Sequence, residues 1–183
     1  MGRSVPPGWR LEGERLYLRE VRLSDVDGPY VHWMNAPEVM QFLESRFASH
    51  SREELQEYVT RVLDDPAYVF LAIVLTEGDR HIGNIKLGPM NQVHQSADVG
   101  VLIGEKDCWG KGYATEAIRL VSQYAFHDLG LYRLTAGCYA PNQGSARAFQ
   151  KAGFVIEGVR KNHYVYGGMR VDEILMALTR QQP

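Results

Sequence analysis

The chain has 183 residues, 45% of them hydrophobic and 23% charged, a composition that suits one folded domain and disfavours disorder. A formal net charge of −2 gives the surface no general attraction for nucleic acid. The longest apolar run, residues 69–75, is far shorter than the roughly 20 residues of a membrane helix, so no membrane span is predicted.

The N-terminal end is expected to be a flexible segment, residues 1–14, followed by a single domain at 15–180. Residues 1–8 contain prolines and glycines but no apolar stretch, so no secretory signal is predicted and the chain is expected in the cytoplasm. No linker, internal repeat or low-complexity segment interrupts the remainder.

The first half of the chain is predicted to begin with a strand and two helices. Residues 15–21 alternate apolar and polar side chains, which predicts a strand with one buried face. Ser24-Asp25 is suited to cap a helix of about ten residues, and Pro37 to open a further short turn. Residues 51–54 have the capping-box pattern and precede apolar residues at helical spacing, which predicts a second helix that ends near Pro66.

The second half is predicted to be mostly strands. Residues 69–75 and 82–87 are apolar segments whose connection, 77–80, is typical of a hairpin. The remaining elements are predicted as a strand at 98–103, a helix at 115–127, a strand at 133–139, a helix at 145–151, and strands at 155–159 and 171–178. This order predicts an α+β domain with a mixed sheet.

Cysteine and histidine spacing gives no indication of a metal site. Cys108 and Cys138 lie 30 positions apart, which matches neither a zinc motif nor a disulfide framework, so both are expected to be free thiols. Cys138 lies in an apolar run and is expected to be a core residue. The histidines show no metal-ligand spacing, so no metal cofactor is predicted.

A glycine-rich loop, Trp109-Gly110-Lys111-Gly112-Tyr113-Ala114, lies between a predicted strand and a predicted helix. Small residues there let backbone N–H groups close on an anion at the helix N-terminus, although ordinary loop chemistry explains the same pattern. Five residues separate Gly104 from Gly110 and no hydroxyl follows Lys111, so a P-loop is excluded. A dinucleotide-binding fingerprint is also absent, which leaves coenzyme A among the nucleotide-containing ligands considered.

Three segments carry a family resemblance: residues 32–40, the glycine loop 109–114, and residues 142–154 with their Asn-Gln-Gly-Ser and Ala-Gly-Phe runs. Over residues 15–178 the chain resembles the Gcn5-related N-acetyltransferase (GNAT) superfamily, in the branch of ribosomal-protein alanine acetyltransferases. The resemblance implies a single-domain fold with a mixed, mostly antiparallel sheet of six to seven strands, about four helices and splayed central strands. Trp109 departs from the family's usual Gln or Arg at that position.

The resemblance further implies that acetyl-CoA is the co-substrate. The backbone N–H groups of the glycine loop would hold its pyrophosphate, and the pantetheine would pair with the strand that ends at Ile103. The residues expected to contact the cofactor are Val101, Leu102, Ile103, Trp109, Gly110, Lys111, Gly112, Tyr113, Ala114, Thr115, Asn142, Ser145, Phe149 and Lys151.

For the leaving thiolate, the resemblance points to Ser145. Many family members carry a tyrosine where this chain has Phe149, which has no hydroxyl. Ser145 stands where the branch carries a serine proposed to contact the sulfur, and helix capping is the alternative explanation of Ser145. Asn142 suits either a turn before the helix or a hydrogen bond to the pantetheine, and the resemblance favours the ligand.

His163 is the leading candidate for the base that deprotonates the amine. Imidazole titrates in a useful range, and related enzymes place a carboxylate nearby. An exposed histidine without a role is the alternative, and Glu157, Asp172 and Glu173 are rival bases. Acceptor recognition is expected from aromatic and acidic side chains, for which the candidates are Trp33, Glu38, Glu44, Tyr164 and Tyr166. Trp33 and Tyr30 also have the spacing of core residues.

The predicted function is therefore transfer of an acetyl group from acetyl-CoA to a primary amine, on a protein N-terminus or a small molecule, by direct transfer in a ternary complex. The alternatives are acetylation of an amino sugar, polyamine or aminoglycoside, or a non-catalytic acetyl-CoA-binding module, which the missing tyrosine at position 149 would favour. No nucleic-acid or membrane partner is expected. The sequence leaves open whether the chain forms a homodimer.

Overall fold

One mixed sheet of eight strands runs through the protein, whose computed structural model describes residues 8–48 and 50–180. The strands are β1 (Leu11–Glu12), β2 (Leu16–Glu20), β3 (Val69–Leu75), β4 (His81–Leu87), β5 (Ser96–Ile103), β6 (Arg133–Tyr139), β7 (Val155–Tyr166) and β8 (Met169–Thr179). They lie in the order β1-β2-β3-β4-β5-β6-β8-β7, and every neighbouring pair is antiparallel except β5 and β6. The predicted α+β class and mixed, mostly antiparallel sheet are confirmed.

Helices cover both faces of this sheet. They are α1 (Leu23–Asp25), α2 (Val31–Trp33), α3 (Pro37–Met40), α4 (Arg52–Asp64), α5 (Tyr113–His127) and α6 (Gln143–Lys151), with a π-helical turn at Val26–Tyr30 and 3₁₀ turns at Glu44–Phe47 and Lys106–Cys108. The capping box before α4 is present, because Glu54 N donates to Ser51 Oγ at 3.1 Å and Ser51 N donates to Glu54 Oε2 at 2.8 Å.

The helix predicted after Ser24-Asp25 is broken into short pieces. Gly28 has non-helical angles (φ −92°, ψ −142°), and Pro29 follows it inside the π-helical turn. Proline has no backbone N–H and cannot continue a regular helical ladder, so the chain kinks between α1 and α2.

Two further differences concern strands. Within the expected N-terminal segment 1–14, Leu11–Glu12 pairs with β2 and supplies the eighth strand, while residues 1–7 lie outside the described residues. β7 continues past the predicted end at 159 to Tyr166, through a register shift between Arg160 and Tyr164. Asn162 has a positive φ of 53° there, which interrupts the regular strand. The sequence pattern therefore predicted a strand only as far as residue 159.

Two apolar clusters lie on opposite faces of the sheet. Residues of α5 and α6, such as Ile118 and Phe149, pack on one face, and residues of α1 to α4, such as Trp33 and Val59, pack on the other. No helix within 8–48 or 50–180 is long and apolar enough to cross a membrane.

The two central strands separate at one end. β5 pairs with β6 only from Ser96–Asp98 to Arg133–Thr135, whereas β4 stays paired with β5 to Ile103 and β8 stays paired with β6 to Tyr139. The later residues of β5 and β6 therefore diverge and leave an opening in the middle of the sheet. The predicted splayed central strands are confirmed.

Candidate active site

A cleft of about 510 Å³ lies at the opening between β5 and β6. On the α5 and α6 face it is lined by the glycine loop and by one side of α6. On the opposite face it is lined by α3 and the following loop, and β5 contributes its last residues. The lining residues are Glu38, Val39, Gln41, Phe42, Leu43, Val101, Leu102, Ile103, Cys108, Trp109, Gly110, Gly112, Tyr113, Ala114, Thr115, Asn142, Gly144, Ser145, Arg147, Ala148 and Lys151.

The glycine loop has the backbone of an anion cradle. Gly110 and Gly112 adopt positive φ angles of 73° and 84°, which residues with a Cβ rarely adopt, and α5 begins directly after them at Tyr113. A Cβ on Gly110 would meet no atom within 4 Å, so the space in front of it is open. The loop backbone at the start of a 15-residue helix thus offers N–H groups to an anion.

Arg15, immediately before β2, holds this loop. Its Nη1 donates to the Lys111 carbonyl at 2.9 Å, and its backbone N and Nε donate to the two carboxylate oxygens of Glu116 in α5 at 2.8 and 2.9 Å. The guanidinium also lies 4.7 Å from the centre of the Tyr113 ring. These contacts fix the loop to the helix before any ligand binds.

Trp109 and Lys111 differ in their relation to the cleft. The Trp109 indole is 42% exposed and donates to the Ile103 carbonyl at 2.8 Å, so it ties the loop to the end of β5. Lys111 was expected to contact the cofactor but is not among the lining residues. Its backbone carbonyl is occupied by Arg15.

Asn142 is the residue that caps α6. Its Oδ1 accepts a hydrogen bond from Ser145 N at 3.2 Å, so the capping explanation of Ser145 is wrong. The Ser145 side chain lies beside the thiol of Cys138 in β6. Burial raises the pKa of that thiol and the Ser145 side chain opposes the rise. Cys108 and Cys138 are both free thiols, as predicted, and both are buried, as was predicted for Cys138 alone.

Phe149 does not reach the cleft. It is 2% exposed and packs edge-on against Phe154, with ring centres 5.0 Å apart, in the α5 and α6 cluster. Phe149, which was expected to contact the cofactor, is therefore not among the residues that line the cleft. A four-residue step turns about 40° around a helix, which carries position 149 from the cleft-facing edge at Ser145 into the core.

The predicted bases separate into exposed and buried groups. The His163 side chain is 43% exposed, does not line the cleft, and has its Nε2 3.5 Å from Glu173 Oε2. Glu157 is paired with Arg133, which lowers the pKa of Glu157. Lys161 and the Asn162 N–H bind Asp172 and lower its pKa. Glu173 is the one of these four groups that is buried.

The residues predicted for acceptor recognition are also divided. Glu38 lines the cleft and lies 3.2 Å from Lys106 Nζ. Trp33 and Tyr30 are core residues, and the Trp33 indole donates to Glu105 Oε1 at 2.9 Å. Glu44, Tyr164 and Tyr166 surround Tyr139 in a layer behind the cleft lining.

Phe42 and one side of α6 line the cleft but were not predicted from the sequence, and the same holds for Val39, Gln41, Leu43 and Cys108. The Phe42 ring lies 5.0 Å from the Tyr166 ring and 6.0 Å from the Tyr139 ring, in a loop whose sequence has no distinctive pattern. The missed residues of α6 are Gly144, Arg147 and Ala148. These follow helical spacing relative to Lys151, so periodicity could have identified them.

No three His, Cys, Asp or Glu side chains in the described part of the chain come together as a potential metal-ligand set.

Comparison with known proteins gives one consistent family. A family model described as an acetyltransferase (GNAT) domain matches residues 15–155. A probable N-acetyltransferase, YjcK of Bacillus subtilis, is 33% identical over 175 residues, which cover 92% of this chain and 96% of the relative.

Solved structures agree on the fold. A spermidine N-acetyltransferase from Vibrio cholerae, in complex with CoA and spermine, has a TM-score of 0.80 at 23% identity and covers 90% of this chain and 95% of that one. RimL, a ribosomal L7/L12 alpha-N-protein acetyltransferase in complex with coenzyme A, has a TM-score of 0.83 at 16% identity and covers 93% and 98%.

Proposed function

Because the chain belongs to the acetyltransferase (GNAT) family and is an acetyl-CoA-dependent N-acetyltransferase, we propose that it moves the acetyl group directly to a primary amine in a ternary complex. The acceptor amine is carried by a protein N-terminus or by a small molecule. No acyl-enzyme intermediate is part of this proposal.

The observation that carries the proposal is the position of the cleft in the sheet. One wall of the cleft is formed by the glycine loop and α6, and the other wall by α3 and residues 41–43, at the opening between β5 and β6. A cofactor held on the first wall and an amine that enters along the second wall would meet in the opening. Direct transfer needs this arrangement, because both substrates must be present at once.

The cofactor would be held mainly by backbone groups. N–H groups of 110–114 would bind the pyrophosphate, and the separated edge of β5 would pair with the pantetheine. The Asn142 side-chain amide can still donate to the pantetheine, because only its oxygen is used in capping. This arrangement would place the thioester near Leu102 and Ile103, whose N–H groups are the proposed oxyanion donors.

Ser145 is proposed to contact the leaving sulfur. It lines the cleft at the start of α6, and its side chain lies beside the thiol of Cys138. A hydroxyl in this position can donate to a developing thiolate. In the proposal the hydroxyl donates to the cofactor sulfur when acetyl-CoA is bound.

The acceptor class is the open part of the proposal. A relative with 29% identity over 110 residues is a spermidine N(1)-acetyltransferase of Escherichia coli, which supports a small amine. In this chain, however, Glu38 in the cleft lining and Glu44 behind it each have a basic neighbour, Lys106 and Arg46. Paired carboxylates attract a polycation weakly, which favours an acceptor with a single amine.

Release of thiol from acetyl-CoA, measured with a panel of amines, tests the function. The panel contains an alanyl peptide, spermidine, an amino sugar, an aminoglycoside and a simple alkylamine. We expect amine-dependent thiol release, with higher kcat/KM for a monoamine than for spermidine. A chain that binds CoA in calorimetry but releases no thiol with any amine would instead be a non-catalytic binding module, the alternative favoured by the phenylalanine at position 149.

A further inference from the structure

Glu173 is a buried carboxylate beside the opening between β5 and β6. Only 5% of the residue is exposed, and it lies in β8, the neighbour of the strand that borders the opening. A buried carboxylate is costly unless its oxygens are hydrogen-bonded, so its partners define what the charge can do.

Side chains of β7 hold Glu173 in one orientation. The Tyr164 hydroxyl donates to Oε1 at 2.9 Å, and Arg160 Nη1 donates to Oε2 at 2.9 Å. Burial and the bond to Glu173 raise the pKa of Tyr164, so its hydroxyl remains a donor at neutral pH. A carboxylate offers about four acceptor positions, and Oε1 therefore retains capacity for a further donor.

Oε1 points at Gly137 of β6. A Cβ on Gly137 would lie 2.7 Å from this oxygen, which is closer than real Cβ contacts. Gly137 is exposed although Ala136 and Cys138 on either side of it are buried. It also belongs to the part of β6 that has separated from β5. The carboxylate oxygen therefore lies over an accessible stretch of backbone at the edge of the opening.

The residues that follow Gly137 connect this position to both walls of the cleft. The Cys138 thiol lies beside Ser145, in the wall proposed for the cofactor. The centre of the Tyr139 ring lies 6.0 Å from that of Phe42, in the wall proposed for the acceptor. Neither Glu173 nor Gly137 is among the residues that line the cleft, so the carboxylate lies behind the lining, next to residues that adjoin both walls.

We propose that Glu173 binds the ammonium group of the acceptor over Gly137 and accepts its proton. The inference rests on the proposed function. One ammonium proton passes to Oε1, the nitrogen–carbon bond to the acetyl group forms, and the thioester carbon–sulfur bond breaks. The nitrogen releases its second proton to solvent as the amide forms, the thiolate takes one proton from solvent, and Glu173 returns its own proton to solvent, so that one proton is released per turnover. Tyr164 and Arg160 are positioning residues, and His163 lies behind the carboxylate, next to Oε2.

The pH dependence of Glu173→Gln tests this assignment, since the substitution keeps the volume and removes the charge. A carboxylate that takes the proton lets the enzyme use the ammonium form, so kcat/KM for the amine is flat up to the acceptor pKa of roughly 10. In the variant we expect kcat/KM near pH 7 to fall about 10²- to 10⁴-fold and to recover as the free amine appears at higher pH. KM for acetyl-CoA should stay within a few-fold. An unchanged profile in the folded variant would overturn the proposal.

Gly137→Ala tests the geometry with the carboxylate retained, and it decides the question if Glu173→Gln does not fold. The added methyl must displace Oε1, and a displacement of about 1 Å costs on the order of 10²-fold in kcat/KM for the amine. Gly158→Ala is the matched control, because Gly158 pairs with Leu175 from the other side and its Cβ would meet only Leu175 Cδ1, at 4.0 Å. Equal rates in the two variants would contradict the assignment.

Two further variants separate catalysis from stability. Asp25→Asn removes another buried carboxylate, paired with Arg19 at 2.7 Å, and should lower the melting temperature without altering the shape of the pH profile. If His163→Gln produces the rising profile and Glu173→Gln does not, His163 is the base and the inference is wrong. If the parental chain binds CoA and acetylates no amine, the proposed function itself fails, an outcome distinct from normal turnover that is insensitive to Glu173→Gln.

Discussion

At the scale of single residues, the structure distinguishes the residue that caps α6 from the residue that faces the cleft at the start of the same helix. Asn142 supplies the cap and Ser145 lies one turn further along, with its side chain beside the Cys138 thiol. Phe149, four residues after Ser145, is in the core. The chemistry offered to the cofactor therefore comes from the first turn of the helix and not from position 149.

Ser145→Ala should reduce kcat on the order of 10²-fold while acetyl-CoA affinity stays within a few-fold, because a contact to the leaving sulfur strengthens in the transition state. Thiol release and calorimetry measure the two quantities. The free energy of unfolding should change by less than roughly 0.5 kcal/mol, since Ser145 is not the cap. Asn142→Ala is the stability control and should cost about 1 kcal/mol. Full turnover in Ser145→Ala would remove the serine from the mechanism.

Phe149→Tyr restores the hydroxyl that many family members carry at this position, yet we expect no gain in turnover. The ring faces the α5 and α6 cluster, so a hydroxyl there would be buried among apolar side chains. An unsatisfied buried hydroxyl costs about 1–3 kcal/mol, which chemical denaturation would detect. A rise in kcat with unchanged stability would mean that position 149 can reach the sulfur.

At the scale of elements, the glycine loop and α5 form one unit. The positive φ angles of Gly110 and Gly112 bring the loop backbone to the start of the helix, and Arg15 of the adjoining segment ties the Lys111 carbonyl to Glu116. The helix dipole and the loop N–H groups therefore act at the same point.

Gly112→Val should abolish measurable CoA binding in calorimetry. Valine strongly disfavours the φ of 84° at this position, and the loop would leave the conformation that presents its N–H groups. Gly130→Val is the matched control, because Gly130 has a φ of 67° beyond the far end of α5 and its Cβ would meet no atom within 4 Å. The control should lose stability but keep CoA affinity. Unchanged CoA affinity in folded Gly112→Val would contradict the pyrophosphate site.

At the scale of the whole molecule, a polar cluster joins elements that are distant in sequence. Arg19 of β2 holds Asp25 of α1 through two hydrogen bonds of 2.7 and 2.8 Å. His81 of β4 lies 3.9 Å from Asp25 and makes an edge-on contact with Trp33 of α2. This cluster connects the kinked helical segment to the sheet on the face where the acceptor is proposed to enter.

The cluster predicts a pH dependence of stability. Burial lowers the pKa of His81 from 6.5, so the unfolded chain binds this proton more readily than the folded chain. The stabilisation is complete above pH 6.5 and is lost as the pH falls from 6.5 towards the folded pKa. The melting temperature should therefore fall between pH 7 and pH 5. The melting temperature of the His81→Gln variant should fall less over that range. Equal slopes for the parental chain and the variant would contradict this role of His81.

Asp25 acts at lower pH. Burial alone would raise the pKa of Asp25, but the Arg19 guanidinium, the Arg22 N–H and His81 together lower it below 3.8. Its stabilisation is present above pH 3.8 and is lost as the pH falls through the folded pKa. His81 and Asp25 therefore reduce the stability of the protein over two separate ranges of acidic pH.

The sequence by itself determined the order of the elements, the capping box at Ser51 and the glycine loop before α5. Each depends on residues within about one or two turns of chain, where spacing and local hydrogen bonding are readable. The family resemblance supplied the splayed strands and the cofactor. The kink at Gly28 was not predicted, because the residues around it have a helical pattern. The full length of β7 was not predicted, because the positive φ at Asn162 interrupts the strand.

Only the tertiary structure decided how the candidate bases are placed and which side of α6 faces the cleft. The surroundings of Glu173 come from three strands, with Gly137 in β6, Tyr164 in β7 and Glu173 itself in β8, held together by strand register. A sequence pattern marks which residues share a face but not which strands are neighbours, because pairing depends on the packing of the whole sheet. The sequence therefore offers Glu157, Asp172 and Glu173 as equivalent candidate bases, whereas in the structure only Glu173 is buried.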